Sequence, residues 1–362
     1  SSILSGLVGS EMCIRDRSIN NLLKNCAELN KNDTLLIISE DSKFGWYDKD
    51  ISVAVYNYAR NKLGLSTELL IVGEPKNNSK NKLEKIIDDY DCVIFFARIG
   101  DQERFEKPSS NTKRIMSYVR NIDSLCSSFA STNYVEMSKF KDVINKIIFD
   151  AENIEISCPL GTKLKGKIDK KNIKKNKDTS VLRFPVVVPA PILAKTFSGQ
   201  VVLSGYLTST GSKVYEPISL EIESPVTANI VNGKIDNYNG EKKVVEKIEK
   251  HYENVSKIFN IEHNVVHSWH AGMNPGIHYS SSIEENPDRW SNTIFPSPKY
   301  LHFHTCGDYA PGEICWMIAN PTIAIDNTPI WEKGILKVHS FDECIQHLQN
   351  SSDLRNLYHN QC

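Results

Sequence analysis

Closely spaced cysteines are absent from this chain. Nine cysteines are spread singly along 362 residues, and no two of them form a CxxC pair. An odd number of scattered cysteines argues against a disulfide framework and against a structural zinc knuckle, since each needs cysteines at short fixed spacings. We therefore expect reduced thiols and predict a cytoplasmic location.

Long apolar runs and an excess of charge of either sign are also missing. No apolar run approaches the roughly 18 to 20 residues that cross a bilayer, and the formal net charge is -1. A nearly neutral chain has no broad electrostatic attraction for nucleic acid or for an anionic membrane. We therefore expect the partner to be a small-molecule substrate, and we expect binding to neither nucleic acid nor a membrane.

The start of the chain, SSILSGLVGSEMCIRDR, does not fit the pattern of a secretion signal. Arg15 and Arg17 follow the short apolar stretch, whereas a signal peptide carries its basic residues in front of it. The segment resembles a translated sequencing-adapter fragment. We predict that residues 1–17 are not native to the protein and leave them out of the predicted domains.

Apolar runs alternate with helical patterns in the first half of the chain. The runs typical of buried strands are Asp33–Asp41, Ser66–Gly73 and Asp91–Gly100. The segments with helical spacing are 19–29, 50–63, 81–90, 114–124 and 140–151. This alternation predicts an α/β domain with a mostly parallel sheet at residues 18–151. No strand is followed by GxGxxG or GxxxxGKS/T, so a nucleotide site is not indicated.

Short strands interrupted by Gly, Pro and Asn dominate the sequence from residue 152 onward. Runs such as VLRFPVVVPAPILAKTF and EPISLEIES are typical of antiparallel strands. One long helix is predicted over Asn239–Asn260, with an apolar stripe along one side. We therefore predict the fold class α/β, in which a parallel N-terminal domain is followed by a β-rich α+β domain at residues 152–362.

Histidines are concentrated in one part of this second domain. Six of the ten lie between residues 263 and 304, and imidazole is both the commonest metal ligand and the usual acid–base group near neutral pH. If YLHFH is a strand, alternation puts His302 and His304 on one face. The Gly- and Pro-containing segment 307–312 permits a sharp turn that returns Glu313 to their side.

Two histidines and one carboxylate match the ligand set of a mononuclear non-haem iron site. His302, His304 and Glu313 are therefore predicted to bind one divalent metal ion, Fe(II) by preference, although the same ligands suit zinc, manganese or cobalt. His270, next to a glycine loop, is the predicted fourth ligand. His267 and His270 would face opposite sides of a strand but share one side of a helical turn. Because a loop follows, at most one of the two is expected to ligate, and which one stays open; if it is His270, His267 is predicted to move protons or to orient a ligand.

Three further residues complete the candidate site. Asp308 is predicted to move protons; alternatively it replaces Glu313 as a ligand or accepts a hydrogen bond from an imidazole. Trp269 is a candidate wall of a substrate pocket, with core packing as the alternative. Arg289 is a candidate for bidentate binding of a substrate carboxylate, with an exposed side chain of no such role as the alternative.

Several segments resemble the aminopeptidase T family of metallopeptidases. They are Gly161-Thr162-Lys163-Leu164, the strand pair in FPVVVPAPILAKTFSGQVVLSG, the turn AGMNPG and the hairpin DNTPIWEKG. The order of segments is most similar to the family's divergent branch typified by 2,5-dihydroxypyridine 5,6-dioxygenase. This resemblance implies an α/β domain, a following domain that bears the metal, and a homodimer.

Three departures separate the chain from the peptidases of that family. First, no GE pair follows Phe184-Pro185. Second, the glutamate expected before the turn is replaced by the segment His267-Ser268-Trp269-His270. Third, the late His-x-Asp pair has no counterpart, and the nearest segment is Glu313-Ile314-Cys315. Paired metal ions need bridging carboxylates, so the departures argue against a two-metal peptidase. A histidine before the turn resembles the dioxygenase branch, whose site holds one ferrous ion.

Three functions of different classes follow. The first is a mononuclear metal dioxygenase acting on a small aromatic or heteroaromatic acid. The second is a metal-dependent hydrolase, aminopeptidase included, in which the ion acidifies a bound water and Glu313 acts as the general base. The third is a non-catalytic relative. The dense histidine cluster favours an enzyme, and the lost carboxylates favour the dioxygenase over the hydrolase.

Overall fold

The computed structural model describes residues 13–77, 80–105, 108, 110–170 and 180–359. The chain divides into two compact units. The N-terminal unit comprises Ser1–Lys139, Asp178–Val187 and Gly276–Ser280; the C-terminal unit comprises Phe140–Lys177, Val188–Pro275 and Ser281–Cys362. The predicted domain boundary after residue 151 stays a prediction.

The N-terminal unit is built on a five-stranded parallel sheet. Its strands are β1 (Thr34–Glu40), β2 (Ser66–Val72), β3 (Cys92–Phe96), β4 (Lys113–Ser117) and β7 (Leu182–Phe184). They pair in the order β2-β1-β3-β4-β7. Strands β1 and β3 are almost entirely buried, because both faces of a parallel sheet are covered, and this explains their continuous apolar runs. The predicted parallel sheet is confirmed.

Helices of this unit follow the strands. They are α1 (residues 13–26, with π-helical hydrogen bonds over Asn21–Cys26), α2 (Lys49–Asn61), α3 (Lys80–Ile87), α4 (Ile99–Glu103), α5 (Ile122–Leu125) and α6 (Ser128–Ser131). The helix predicted over 114–124 is wrong in its first part, which forms β4, whereas its last residues, from Ile122, belong to α5. Residues 13–17 are helical and residues 1–12 lie outside the described part of the chain; whether 1–17 is native stays a prediction.

The C-terminal unit is built on a twelve-stranded sheet whose paired strands are antiparallel. Its strands are β5 (Asn153–Ser157), β6 (Lys163–Lys167), β8 (Ile192–Leu193), β9 (Ser198–Ser209), β10 (Leu220–Val231), β11 (Lys234–Asn239), β12 (Val266–Ala271), β13 (Tyr300–Thr305), β14 (Ile314–Ala319), β15 (Thr322–Ile325), β16 (Thr328–Glu332) and β17 (Ile335–Leu336). The main order is β17-β16-β15-β5-β6-β9-β14-β13-β12-β8, and the β10–β11 hairpin joins at β9. This confirms the predicted β-rich second part.

The remaining helices are α7 (Tyr134–Asp150), which spans the division between the units, and α8 (Lys242–Phe259), α9 (Pro287–Ile294), α10 (Asp342–Asn350) and α11 (Ser352–His359). Helix α8 buries the apolar stripe that its sequence predicts. Helix α9 begins after Asn286, whose side chain accepts a hydrogen bond from the Arg289 amide, and Pro287 suits the first helical position. Within the described residues, no helix is long and apolar enough to cross a membrane.

Candidate metal centre

Two neighbouring antiparallel strands, β12 and β13, carry the histidine cluster, and β14 pairs with β13. Their register pairs Ser268 with His304, His270 with His302, and His304 with Cys315. Residues directly opposite each other on antiparallel strands project from the same face. His270, His302 and His304 therefore share one face of the sheet, which we name the histidine face. The strand predicted for YLHFH is confirmed.

A β-bulge in β12 brings a fourth imidazole to this face. The register shifts between Val266 and Ser268, so His267 has no residue opposite it on β13. Nδ1 of His267 lies 3.0 Å from Oγ of Ser268, a residue of the histidine face. The expectation that a strand separates His267 from His270 does not hold, because a bulge re-aims the side chain of its extra residue.

His270 and His304 are in direct contact. Their Nε2 atoms are 2.9 Å apart, and their ring centroids are 4.9 Å apart. The ring of His302 is 5.4 Å from that of His270, centroid to centroid. Two nitrogens that bind one ion at about 2.1 Å, at right angles, are themselves about 3 Å apart. The pair therefore has the spacing of two adjacent ligands; without an ion, the same distance fits an N–H···N hydrogen bond.

Burial favours the neutral form of the His302 imidazole. His302 is 2% exposed and His270 is 6% exposed, whereas His304 is only half-buried. Burial lowers the pKa of His302 to about 3. Both ring nitrogens of His302 are buried and have no hydrogen-bond partner among the described residues. A neutral imidazole is the form that binds a metal ion, so the chemistry of the cluster fits metal ligation.

Helix α9 and the residue after it cover part of the histidine face. Oγ of Ser209, at the end of β9, donates a hydrogen bond of 2.7 Å to the buried carboxylate of Asp288 in α9. The ring of Phe295 then lies edge-on to two imidazoles, at 5.8 Å from His302 and 6.3 Å from His270. The cover explains why these two histidines are shielded from water.

Glu313, the predicted carboxylate ligand, is engaged by other side chains. Its Oε1 accepts a short hydrogen bond from the Tyr309 hydroxyl and lies 3.6 Å from Nζ of Lys213, and its Oε2 accepts from Ser212 Oγ over 3.1 Å. Burial raises the pKa of Glu313, against the effect of these three partners. Nζ of Lys213 also lies 4.8 Å from the ring centroid of Phe259, the last residue of α8. These contacts place the carboxylate beside the end of α8.

Helix α8 packs on the face opposite the histidines. The hydroxyl of Tyr252 shares a hydrogen bond with Thr305 and accepts one from Trp316 Nε1 over 2.6 Å. Trp269 lies on the same face as these partners, is 1% exposed and contacts Phe197 at 5.7 Å between ring centroids. Trp269 therefore lies on the face opposite the imidazoles, whereas the side-chain contacts of the Glu313 carboxylate are those with Tyr309, Ser212 and Lys213. The surroundings of Trp269 agree with the core-packing alternative.

Asp308 and Arg289 lie at the margins of the cluster. Asp308 is exposed, in the turn after β13. Burial lowers the pKa of His267, and the negative charge of Asp308 opposes that shift. Arg289 is half-buried on α9. The predicted roles of both residues stay predictions.

The histidine face thus offers two of the ligand nitrogens that a metal site needs, but not a complete set. No group of three or more His, Cys, Asp or Glu side chains within the described residues is arranged so that it could hold a metal ion. Two ligand nitrogens, on His270 and His304, have suitable spacing, and a third requires His302 to turn a ring nitrogen towards them. The residues fit a metal ion by their chemistry and by the spacing of this pair.

Two contributors to the site escaped sequence reasoning. Ser268 contacts His267 only because of the bulge, and Phe295 reaches the imidazoles only because α9 packs on the sheet. No local sequence signal marks either contact. Of the partners of Glu313, Tyr309 alone is near it in the sequence, so it is the partner that the sequence could have indicated.

Comparisons with known proteins agree with the fold. No protein-family model matches the chain, and no curated protein sequence matches it. Among solved structures it is similar to 2,5-dihydroxypyridine dioxygenase from Pseudomonas putida KT2440, with a TM-score of 0.58 and 11% sequence identity, over 90% of this chain and 97% of that chain. At this identity the likeness establishes a common fold and not common site residues. The predicted fold class is confirmed; the aminopeptidase T assignment has no matching family model behind it.

Proposed function

We propose that this protein is a mononuclear metal-dependent dioxygenase that acts on a small aromatic or heteroaromatic acid. The observation that carries the proposal is the 2.9 Å contact between Nε2 of His270 and Nε2 of His304. These atoms lie on a face that holds two further imidazoles. The reaction class is supported by the fold, which is similar to that of a dioxygenase.

The imidazoles of His270, His304 and His302 would hold the ion in this account. Fe(II) bound there would supply the redox chemistry. Phe295 and the surrounding strands would exclude water from the buried side. His267 and Asp308, on the more exposed side, would orient the substrate and carry protons.

Glu313 has a different role in this proposal. Its carboxylate joins Tyr309, from the turn between β13 and β14, to Ser212 and Lys213, from the loop after β9. We infer that Glu313 anchors this turn, which also carries Asp308, and that the ligands are imidazoles alone. We further propose that the chain belongs to the dioxygenase branch of the aminopeptidase T family and that it forms a homodimer.

Oxygen consumption tests the reaction class. Protein purified without oxygen is loaded with Fe(II) and offered a panel of hydroxylated benzoic and pyridine carboxylic acids in an oxygen electrode. We expect uptake that needs both iron and one acid of the panel, is lost in His304→Ala, and is retained in His339→Ala, whose histidine is exposed outside the cluster. Amino-acid release from peptides with zinc or cobalt, and no oxygen uptake, would instead identify a hydrolase.

A further inference from the structure

The side chains of two consecutive residues, His267 and Ser268, meet at the bulge of β12. Consecutive residues on a regular strand face opposite sides, so this contact exists only because the register shifts there. Nδ1 of His267 is 3.0 Å from Oγ of Ser268, and Ser268 is 1% exposed. A hydroxyl this deeply buried does not reach a substrate, so Ser268 is not a nucleophile despite standing next to a histidine.

The direction of this hydrogen bond follows from the surroundings of Ser268. Its hydroxyl has Nδ1 of His267 as its only hydrogen-bond partner among the described residues. If the imidazole donated the hydrogen, the buried O–H of Ser268 would have no acceptor, and an unpaired buried donor is costly. If Ser268 donates, no buried donor is left over. We infer that Ser268 donates to Nδ1 and holds His267 as the neutral tautomer protonated on Nε2.

This tautomer changes what His267 can do at the proposed site. A neutral imidazole has one basic nitrogen, and here that nitrogen is Nδ1, which the Ser268 hydroxyl covers. The other nitrogen carries a proton and donates a hydrogen bond. His267 therefore serves as a neutral hydrogen-bond donor to substrate, and proton transfer falls to Asp308. Ser268 is the positioning residue. The role at the site rests on the proposed function, whereas the tautomer does not.

Nitrogen NMR of the full-length, metal-free protein tests this inference. Histidines are labelled with 15N, and His267→Gln assigns the resonances. In the wild type near neutral pH, we expect Nδ1 of His267 to be unprotonated and hydrogen-bonded, and Nε2 to carry the proton. Ser268→Ala should lose the hydrogen-bond signature and raise the pKa of His267, because a donor to the neutral form is gone. Ser268→Thr, which keeps the hydroxyl, should retain both properties.

Further variants separate the two neighbours of the imidazole. Asp308→Asn should lower the pKa of His267 and leave its tautomer unchanged, because only the charge is removed. Ser268→Cys, a nearly isosteric change to a weak donor, repeats the loss if the alanine variant does not fold. Proton on Nδ1 in the wild type, or an unchanged Nδ1 resonance in the folded Ala or Cys variant, overturns the inference. Since no metal or substrate is present, this outcome is independent of whether the protein proves to be a dioxygenase.

Discussion

Replacement of Glu313 distinguishes an anchoring carboxylate from a metal ligand. Glu313→Gln keeps the size of the side chain and one acceptor oxygen but removes the negative charge. A ligand changed in this way would weaken metal binding. An anchor would weaken only the turn between β13 and β14, because its partners are Tyr309, Ser212 and Lys213.

The contacts of Glu313 set the size of the effect. Its side chain is 0% exposed, and two hydroxyl groups donate to it. Hydrogen bonds to a charged group are worth about 1.5–3 kcal/mol each. Lys213 is 45% exposed, so its ion pair adds about 1 kcal/mol or less after screening by water. We expect Glu313→Gln, which weakens these bonds, to cost about 2 kcal/mol, and Glu313→Ala, which leaves both donors unpaired, about 4 kcal/mol.

Urea unfolding and metal analysis of the same samples provide the assay. We expect both Glu313 variants to unfold at lower urea, and the Gln variant to hold as much metal as the wild type. Tyr309→Phe is the matched control, because it removes one donor and leaves the carboxylate; it should lose stability without losing metal. A Glu313→Gln protein of unchanged stability that has lost its metal would refute the anchoring role and restore Glu313 as a ligand.

Two predictions concern buried groups on the other side of the sheet and on α8. His251 is 4% exposed, neither of its ring nitrogens has a hydrogen-bond partner among the described residues, and burial lowers its pKa from 6.5 to about 4. As pH falls, the unfolded chain takes up a proton at this histidine before the folded chain does. The free energy of unfolding is therefore at its full value above pH 6.5 and decreases between pH 6.5 and pH 4, by up to about 3 kcal/mol. Urea titrations across this range should therefore show a flatter dependence in His251→Leu, and an identical acid limb would contradict this. Trp269→Phe removes a buried indole N–H that has no hydrogen-bond partner among the described residues. The gain from removing this unpaired donor and the loss of packing partly cancel, so the free energy of unfolding should change by less than about 2 kcal/mol. Metal binding should stay intact, and loss of metal would disprove the placement of Trp269 away from the imidazoles.

The parallel sheet could be predicted where its strands are purely apolar, and not elsewhere. Strands β1 and β3 were predicted correctly because their apolar runs are uninterrupted. Most of strand β4 lies in the segment 114–124, for which the sequence predicts a helix. In the structure Arg114 is buried within the strand and paired with Glu84 of α3 at 2.7 Å. Nothing local to the sequence indicates that partner, so tertiary pairing overrides the local pattern.

The histidine cluster shows the same limit. Alternation in YLHFH located His302 and His304, because strand periodicity is a local property. The pairing with His270 depends on the register between β12 and β13, and the position of His267 depends on a bulge, neither of which the local sequence specifies. The turn that returns the chain to Glu313 was also expected, but Ser212, which binds its carboxylate, is about a hundred residues away in the chain.

We propose that imidazoles of the histidine face hold one metal ion. The direct test is elemental analysis of protein purified without oxygen or added metal, with ions counted per chain, for the wild type, His304→Ala and His339→Ala. We expect about one iron per chain in the wild type and in the His339 control, as a mononuclear site requires, and none in His304→Ala. No metal in the wild type, or full occupancy in His304→Ala, would contradict it.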